Sequence, residues 1–181
     1  KHHERYRNRH RFQNMDDIVL IDTEGNVVYS MLKEKDFATN LVKGPWKDSG
    51  LAHAITPLLN KPVPGVAGFA DFTRYPASDG LPMAFLAMPV FDTDNQHFIG
   101  IIATKISSSA LNELMSDRSG LGESGETYII NRDRWMLTDS RFETESTALR
   151  KQIDSQAVRH VVLGEEGTIL TPDYRGVPSY V

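Results

Sequence analysis

The sequence contains no cysteine. That excludes disulfide scaffolds, cysteine zinc sites, iron–sulfur clusters and thiol catalysis together. It is compatible with a reducing cytoplasm and with an oxidising periplasm alike. No run approaches the roughly 18–20 apolar residues that a membrane-spanning helix needs. The most apolar stretches, 83–91 and 98–106, are short and read as buried strands. Charge of one sign is also lacking: 20 basic against 24 acidic residues give a net charge of −4. A chain built around a basic nucleic-acid surface is thereby excluded, and no nucleic-acid partner is expected. No secretory signal opens the sequence, whose first residue is lysine, so a processed form or a fragment is expected.

Motifs for catalysis are equally scarce. There is no P-loop, no G-x-S-x-G elbow and no H-E-x-x-H. Residues 120–125 (GLGESG) spell G-x-G-x-x-G. A dinucleotide site needs that pattern between a strand and the helix it opens, so that the pyrophosphate meets the helix N-terminus. Here a helix precedes and a strand follows, so the stretch reads as a turn. The six histidines fall at positions 2, 3, 10, 53, 97 and 160, with no paired ligand spacing. Asp92-Thr-Asp94-Asn95 lacks the glycine and the distal glutamate of a calcium loop and reads as a hairpin turn. No metal, cofactor or catalytic residue is therefore expected, and a binding module is favoured over an enzyme. An acid–base enzyme using Asp71 and Asp139 is the weakest of the functional alternatives, because no further motif supports it.

What is present is 40% apolar and 24% charged residues over 181 positions, enough for one domain or two small ones. Residues 1–12 place Lys1, Arg5, Arg7, Arg9 and Arg11 against a single acid, Glu4. Such an arm reads either as a contact for an anionic surface or, more commonly, as a solvated helix end. Residues 18–22 (IVLID) and 27–31 (VVYSM) flank the turn residues Thr23–Asn26 and predict a hairpin. Asp48 is placed to cap a helix over 49–59, which Pro57 ends or bends. Strands follow at 69–75, 83–91 and 98–106. A helix after Ser107 carries Leu111, Leu114 and Met115 on one face. Consecutive long strands joined by a tight turn predict an antiparallel sheet.

Residues 128–140 (YIINRDRWMLTDS) repeat the layout of 19–30 (VLIDTEGNVVYS) at an offset of 109 residues. A helix over 147–163, a strand at 168–172 and a further strand from 176 complete the second copy, which stops where a final strand is expected. Self-similarity on this scale predicts two tandem modules. Around the first module's central strands, Tyr29, Trp46, Asp48, Asp71, Tyr75 and Phe85 form an aromatic and acidic set. They are the candidate ligand-binding residues, suited to a small cationic or amphiphilic ligand. Strand alternation puts Asp71 and Tyr75 on one face, and the competing reading is ordinary core for the rings and turn or cap roles for the acids.

Four stretches carry a family resemblance: 18–52, 70–92 (ADFTRYPAS…PMAFLAMPVFD), 120–142 (GLGESGETYIINRDRWMLTDSRF) and 173–178 (DYRGVP). In this order they resemble the double Cache sensor domains of bacterial receptors, tandem PAS-like extracytoplasmic modules. The resemblance implies an α+β fold of two PAS-like modules with antiparallel sheets, preceded by the end of a long N-terminal helix. Residues 1–14 would be that helix end, 15–115 the membrane-distal module, and 120–181 a C-terminally incomplete membrane-proximal module. It implies a periplasmic small-molecule-sensing region of a histidine kinase, chemoreceptor or cyclase. The membrane would be met only through flanking helices, and a homodimer would form through the N-terminal helix. The arginine followed by Trp-Tyr that marks amino-acid binding in some members is absent. The alternative reading is an intracellular PAS-like dimerisation module without a ligand.

Overall fold

The computed structural model describes residues 17–94 and 97–181. The expected helix end at 1–14, and with it the expected dimer contact, lies outside the described residues. The chain divides into two compact units, Lys1–Ala110 and Leu111–Val181.

In the first unit, β1 (Asp17–Ile21) and β2 (Val27–Ser30) form the expected hairpin. The Asp22 carboxylate makes the turn: its Oδ1 accepts the backbone N–H groups of Glu24 and Asn26, each at 2.9 Å. Gly25 supplies the left-handed φ of 87° that the turn requires. After α1 (Gly50–Asn60) come β3 (Gly68–Tyr75), a single 3-10 turn at Pro76–Ser78, β4 (Leu81–Phe91) and β5 (Phe98–Ser107); α2 (Ser108–Leu114) begins in this unit and ends in the second. All neighbouring strands are antiparallel, in the order β2-β1-β5-β4-β3. The unit is α+β, with α1 laid on one face of a five-stranded sheet.

Two details of α1 differ from expectation. Its cap is Ser49, whose hydroxyl accepts from the Ala52 N–H at 3.3 Å, while Asp48 is exposed. Ser49 is the last extended residue before the helix, at ψ 161°, and only that position presents a side-chain acceptor to the free N–H groups. Pro57 sits in the final turns, and the helix runs on to Asn60. Leu51, Ala54, Ile55 and Leu58 are buried and pack with Val19, Ile21, Tyr75, Phe85 and Ile101 of the sheet.

The second unit repeats the first unit's hydrogen-bond pattern. Asn131 replaces Asp22, and its Oδ1 accepts from the Trp135 N–H at 2.9 Å. Arg134, with φ 66°, takes the place of Gly25. In the first unit Val27 N–H donates to Thr39 O, Ala38 N–H to Val27 O and Leu41 N–H to Gly25 O. In the second, Met136 N–H donates to Lys151 O, Leu149 N–H to Met136 O and Ile153 N–H to Arg134 O. This return ladder corrects the helix expected over 147–163. With Leu149 at φ 51° and its neighbours bonded back to the hairpin, residues 147–153 are not helical, and α3 covers only Gln156–Val162 under a Ser155 cap. A short pair, β6 (Leu170–Pro172) and β7 (Pro178–Tyr180), follows. The face expected for α2 is also corrected: Ser108 and Ala110 are its buried residues, and Leu114 is exposed.

Asp139 ties this unit together. Its Oδ1 accepts from Ser146 Oγ and from the Thr147 and Ala148 N–H groups, and its Oδ2 accepts from the Asn112 amide. Partial burial works to raise its pKa, but these bonds outweigh it and hold the pKa below the ordinary carboxylate value. A depressed folded-state pKa gives stability that is present at neutral pH and lost as pH falls through that pKa. Asp139→Ala should lower the urea midpoint at pH 7 and narrow the gap to the wild type near pH 3, as read by circular dichroism.

Candidate ligand site

The candidate site is a charged cluster set into the first unit's apolar core. Register builds it. Asp17 on β1 lies opposite Lys105 on β5, and Lys105 lies opposite Phe85 on β4, so three adjacent strands place these side chains in one row. The loop after β2 brings in Glu34 and Asp36, the end of β3 brings Tyr75, and the 3-10 turn brings Ser78. Asp17, Asp36, Tyr75 and Lys105 are fully buried.

Lys105 Nζ donates to Glu34 Oε2 at 2.7 Å, and it lies 2.8 Å from Asp36 Oδ2 and 3.2 Å from Asp17 Oδ2. Its ammonium stands 5.3 Å from the centre of the Tyr75 ring. The Tyr75 hydroxyl donates to Asp36 Oδ2 at 2.6 Å, and Ser78 Oγ donates to Glu34 Oε2 at 2.6 Å. Asp17 is further held by Ser30 Oγ and the Met31 and Leu32 N–H groups. Asp36 Oδ1, by contrast, is buried with no hydrogen-bond partner. Burial pushes the Tyr75 pKa far up, and the Asp36 charge adds to it. Burial works to lower the Lys105 pKa, but the charges and hydrogen bonds of Asp36, Glu34 and Asp17 raise it above the ordinary lysine value. One ammonium therefore faces three carboxylates in a low-dielectric setting, where an unpaired acceptor is costly.

Over the cluster, Lys35 and Asp79 form an exposed ion pair at 2.5 Å that joins the Glu34–Asp36 loop to the 3-10 turn. Lys33, Ala38 and Asp79 all have positive φ without being glycine. Left-handed backbone at such residues costs of order 1–3 kcal/mol each.

The structure brings Tyr75 and Phe85 together, edge to face at 4.8 Å between ring centres, against the cluster. Trp46 is half-buried beside the core, and its indole N–H donates to the Lys35 carbonyl at 3.2 Å. The structure does not bring the other three candidates to this cluster. Tyr29 pairs with Leu20, and alternation puts that pair on the sheet face opposite Asp17 and Lys105. Asp48 is exposed outside the helix cap. Asp71 is exposed, its Oδ1 accepting from the Phe72 N–H at 2.7 Å. A register shift between Ala70 and Thr73 inserts a bulge, so Asp71 and Tyr75 no longer share a face. Sequence reading missed Asp17, Glu34, Asp36 and Lys105. The usable signal was Lys105 itself, a cation at a core-facing phase of an apolar strand.

No protein-family model and no curated protein matches the chain. Solved structures do. The extracellular domain of mmHK1S-Z3, assigned as a histidine kinase, is 14% identical with a TM-score of 0.57, over 93% of this chain and 67% of that one. Its relative mmHK1S-Z2 is 15% identical with a TM-score of 0.55, over 96% and 70%. An extracellular ligand binding receptor from Desulfohalobium retbaense is 17% identical with a TM-score of 0.55, over 87% of this chain. This chain spans 26% of that receptor's length. At such identities the likeness is one of fold. The chain shares the fold of these extracellular domains, and its antiparallel α+β first unit agrees with the fold class that the Cache resemblance implied.

Proposed function

We propose that this chain is the extracytoplasmic small-molecule-sensing region of a transmembrane signalling receptor of the histidine kinase, chemoreceptor or cyclase type. The segment itself is not an enzyme in this reading. Residues 15–115 form the membrane-distal module and hold the ligand. Residues 120–181 belong to a membrane-proximal module, a reading supported by the shared hairpin and return ladder. A homodimer through the N-terminal helix carries the signal, and flanking spans anchor the receptor. The observation that carries the reading is Asp36 Oδ1, a buried acceptor without a partner in a charged cluster, within a fold used by sensor domains. A ligand that completes this acceptor favours the arrangement in which the Glu34–Asp36 loop is closed. Its effect is bounded by its differential affinity for the closed and open arrangements.

The test is a thermal-shift screen of small metabolites on the wild type and on Asp36→Asn, with folding of the variant checked by circular dichroism. Asparagine keeps an acceptor for the Tyr75 hydroxyl and removes the charge. Ligands at about 100 times their Kd should raise the wild-type Tm by several degrees. They should leave the Tm of Asp36→Asn unchanged. A wild type that answers no metabolite would favour a ligand-free dimerisation module instead.

A further inference from the structure

We propose that the cluster is a primary-ammonium site which the chain fills with its own Lys105, and that the first unit's ligands are small alkylammonium compounds that enter by displacing this side chain; the second half rests on the sensing reading above. An ammonium carries three N–H donors. The cluster meets them with three carboxylates at 2.7, 2.8 and 3.2 Å and closes one side with the Tyr75 ring. The hydroxyls of Tyr75, Ser78 and Ser30 are already committed to acids, Tyr75 to Asp36, Ser78 to Glu34 and Ser30 to Asp17. A carboxylate ligand would add a fourth negative charge and find these three donors taken. A neutral ligand that displaced Lys105 would leave the buried Asp17 and Asp36 and the half-buried Glu34 without a cation. An alkylammonium exchanges charge for charge, and Asp36 Oδ1 offers a further acceptor.

The tether makes Lys105 a strong competitor, because its effective concentration at the site is on the order of millimolar or more. Removing it should uncover the site. Lys105→Ala deletes three methylenes and the ammonium, the outline of n-propylammonium. We expect n-propylammonium at about 10 mM to raise the Tm of Lys105→Ala by several degrees and to bind it at least about 100-fold more tightly than it binds the wild type. Propionate and 1-propanol at the same concentration should do neither. Should Lys105→Ala fail to fold alone, refolding in n-propylammonium but not in propionate carries the same meaning. Equal shifts with all three compounds, or no recovery with any of them, overturns the ammonium site. A wild type stabilised by carboxylate or neutral metabolites and not by amines keeps the sensing reading and overturns the ligand class. A wild type that answers nothing, beside a rescued Lys105→Ala, keeps the ammonium site and overturns the sensing reading.

Discussion

Lys105→Met is expected to cost about 3–5 kcal/mol of folding stability, because it removes the cation and leaves buried carboxylates behind. Methionine is similar in length and apolar, so the packing loss is small and the electrostatic loss dominates. Asp17 retains Ser30 and two backbone N–H groups, but Asp36 keeps only the Tyr75 hydroxyl and Glu34 only Ser78. In the wild type the raised Lys105 pKa gives stability that is intact at neutral pH and is lost only as pH climbs through that pKa. Lys105→Met has no such loss, so the gap between the two should narrow at high pH, as read by urea denaturation at several pH values. Adding Asp36→Asn to Lys105→Met should return part of the loss at pH 7, since one of the stranded charges is gone. A double variant no more stable than the single one would show that charge is not what the lysine offsets.

The fold was legible in the sequence where local chemistry and periodicity agree. Asp22 and Gly25 dictate the first hairpin, and the alternation of 98–106 dictates a strand with one buried face. The repeat at 128–140 was legible because Asn131 can make the same turn bond as Asp22. What failed depends on information that is not local. The bulge between Ala70 and Thr73 moves Asp71 to solvent and leaves Tyr75 in the core, and no residue type announces it. The stretch 147–153 has helix-forming composition, yet its backbone groups bond to the hairpin instead. The site was only half legible. Its rings, Tyr75 and Phe85, stood out by size. Its acids, Glu34 and Asp36, sit in a polar loop that reads as solvated until Lys105 is seen opposite them. A buried ion cluster is a property of register, and register between β1 and β5 spans most of the unit.

Gly68→Ala is the other substitution expected to be severe. A Cβ at this position would lie 2.0 Å from the Ala54 carbonyl oxygen and 3.1 Å from its carbon. Both are backbone atoms of α1, so no rotamer change relieves the contact and the helix as a whole must move off β3. Overpacking in a filled core costs about 1–3 kcal/mol, and a clash with backbone belongs at or above the top of that range. The consequence reaches the site. Ser49 at the start of α1 hydrogen-bonds the Tyr75 hydroxyl, and Gly50 lies against the Phe85 ring. A displaced α1 loosens both rings and with them the hold on Asp36. Gly68→Ala should therefore lower the urea midpoint and also weaken any ligand-induced rise in Tm. Gly167→Ala is the matched control, because its added Cβ meets nothing within 4 Å and its φ lies outside the left-handed region. That substitution should be neutral or should stabilise by about 0.4–1 kcal/mol through the unfolded chain. If the two alanine variants melt together, α1 has more freedom to shift on the sheet than the contact at Gly68 allows, and helix position cannot be what holds Tyr75 against Asp36.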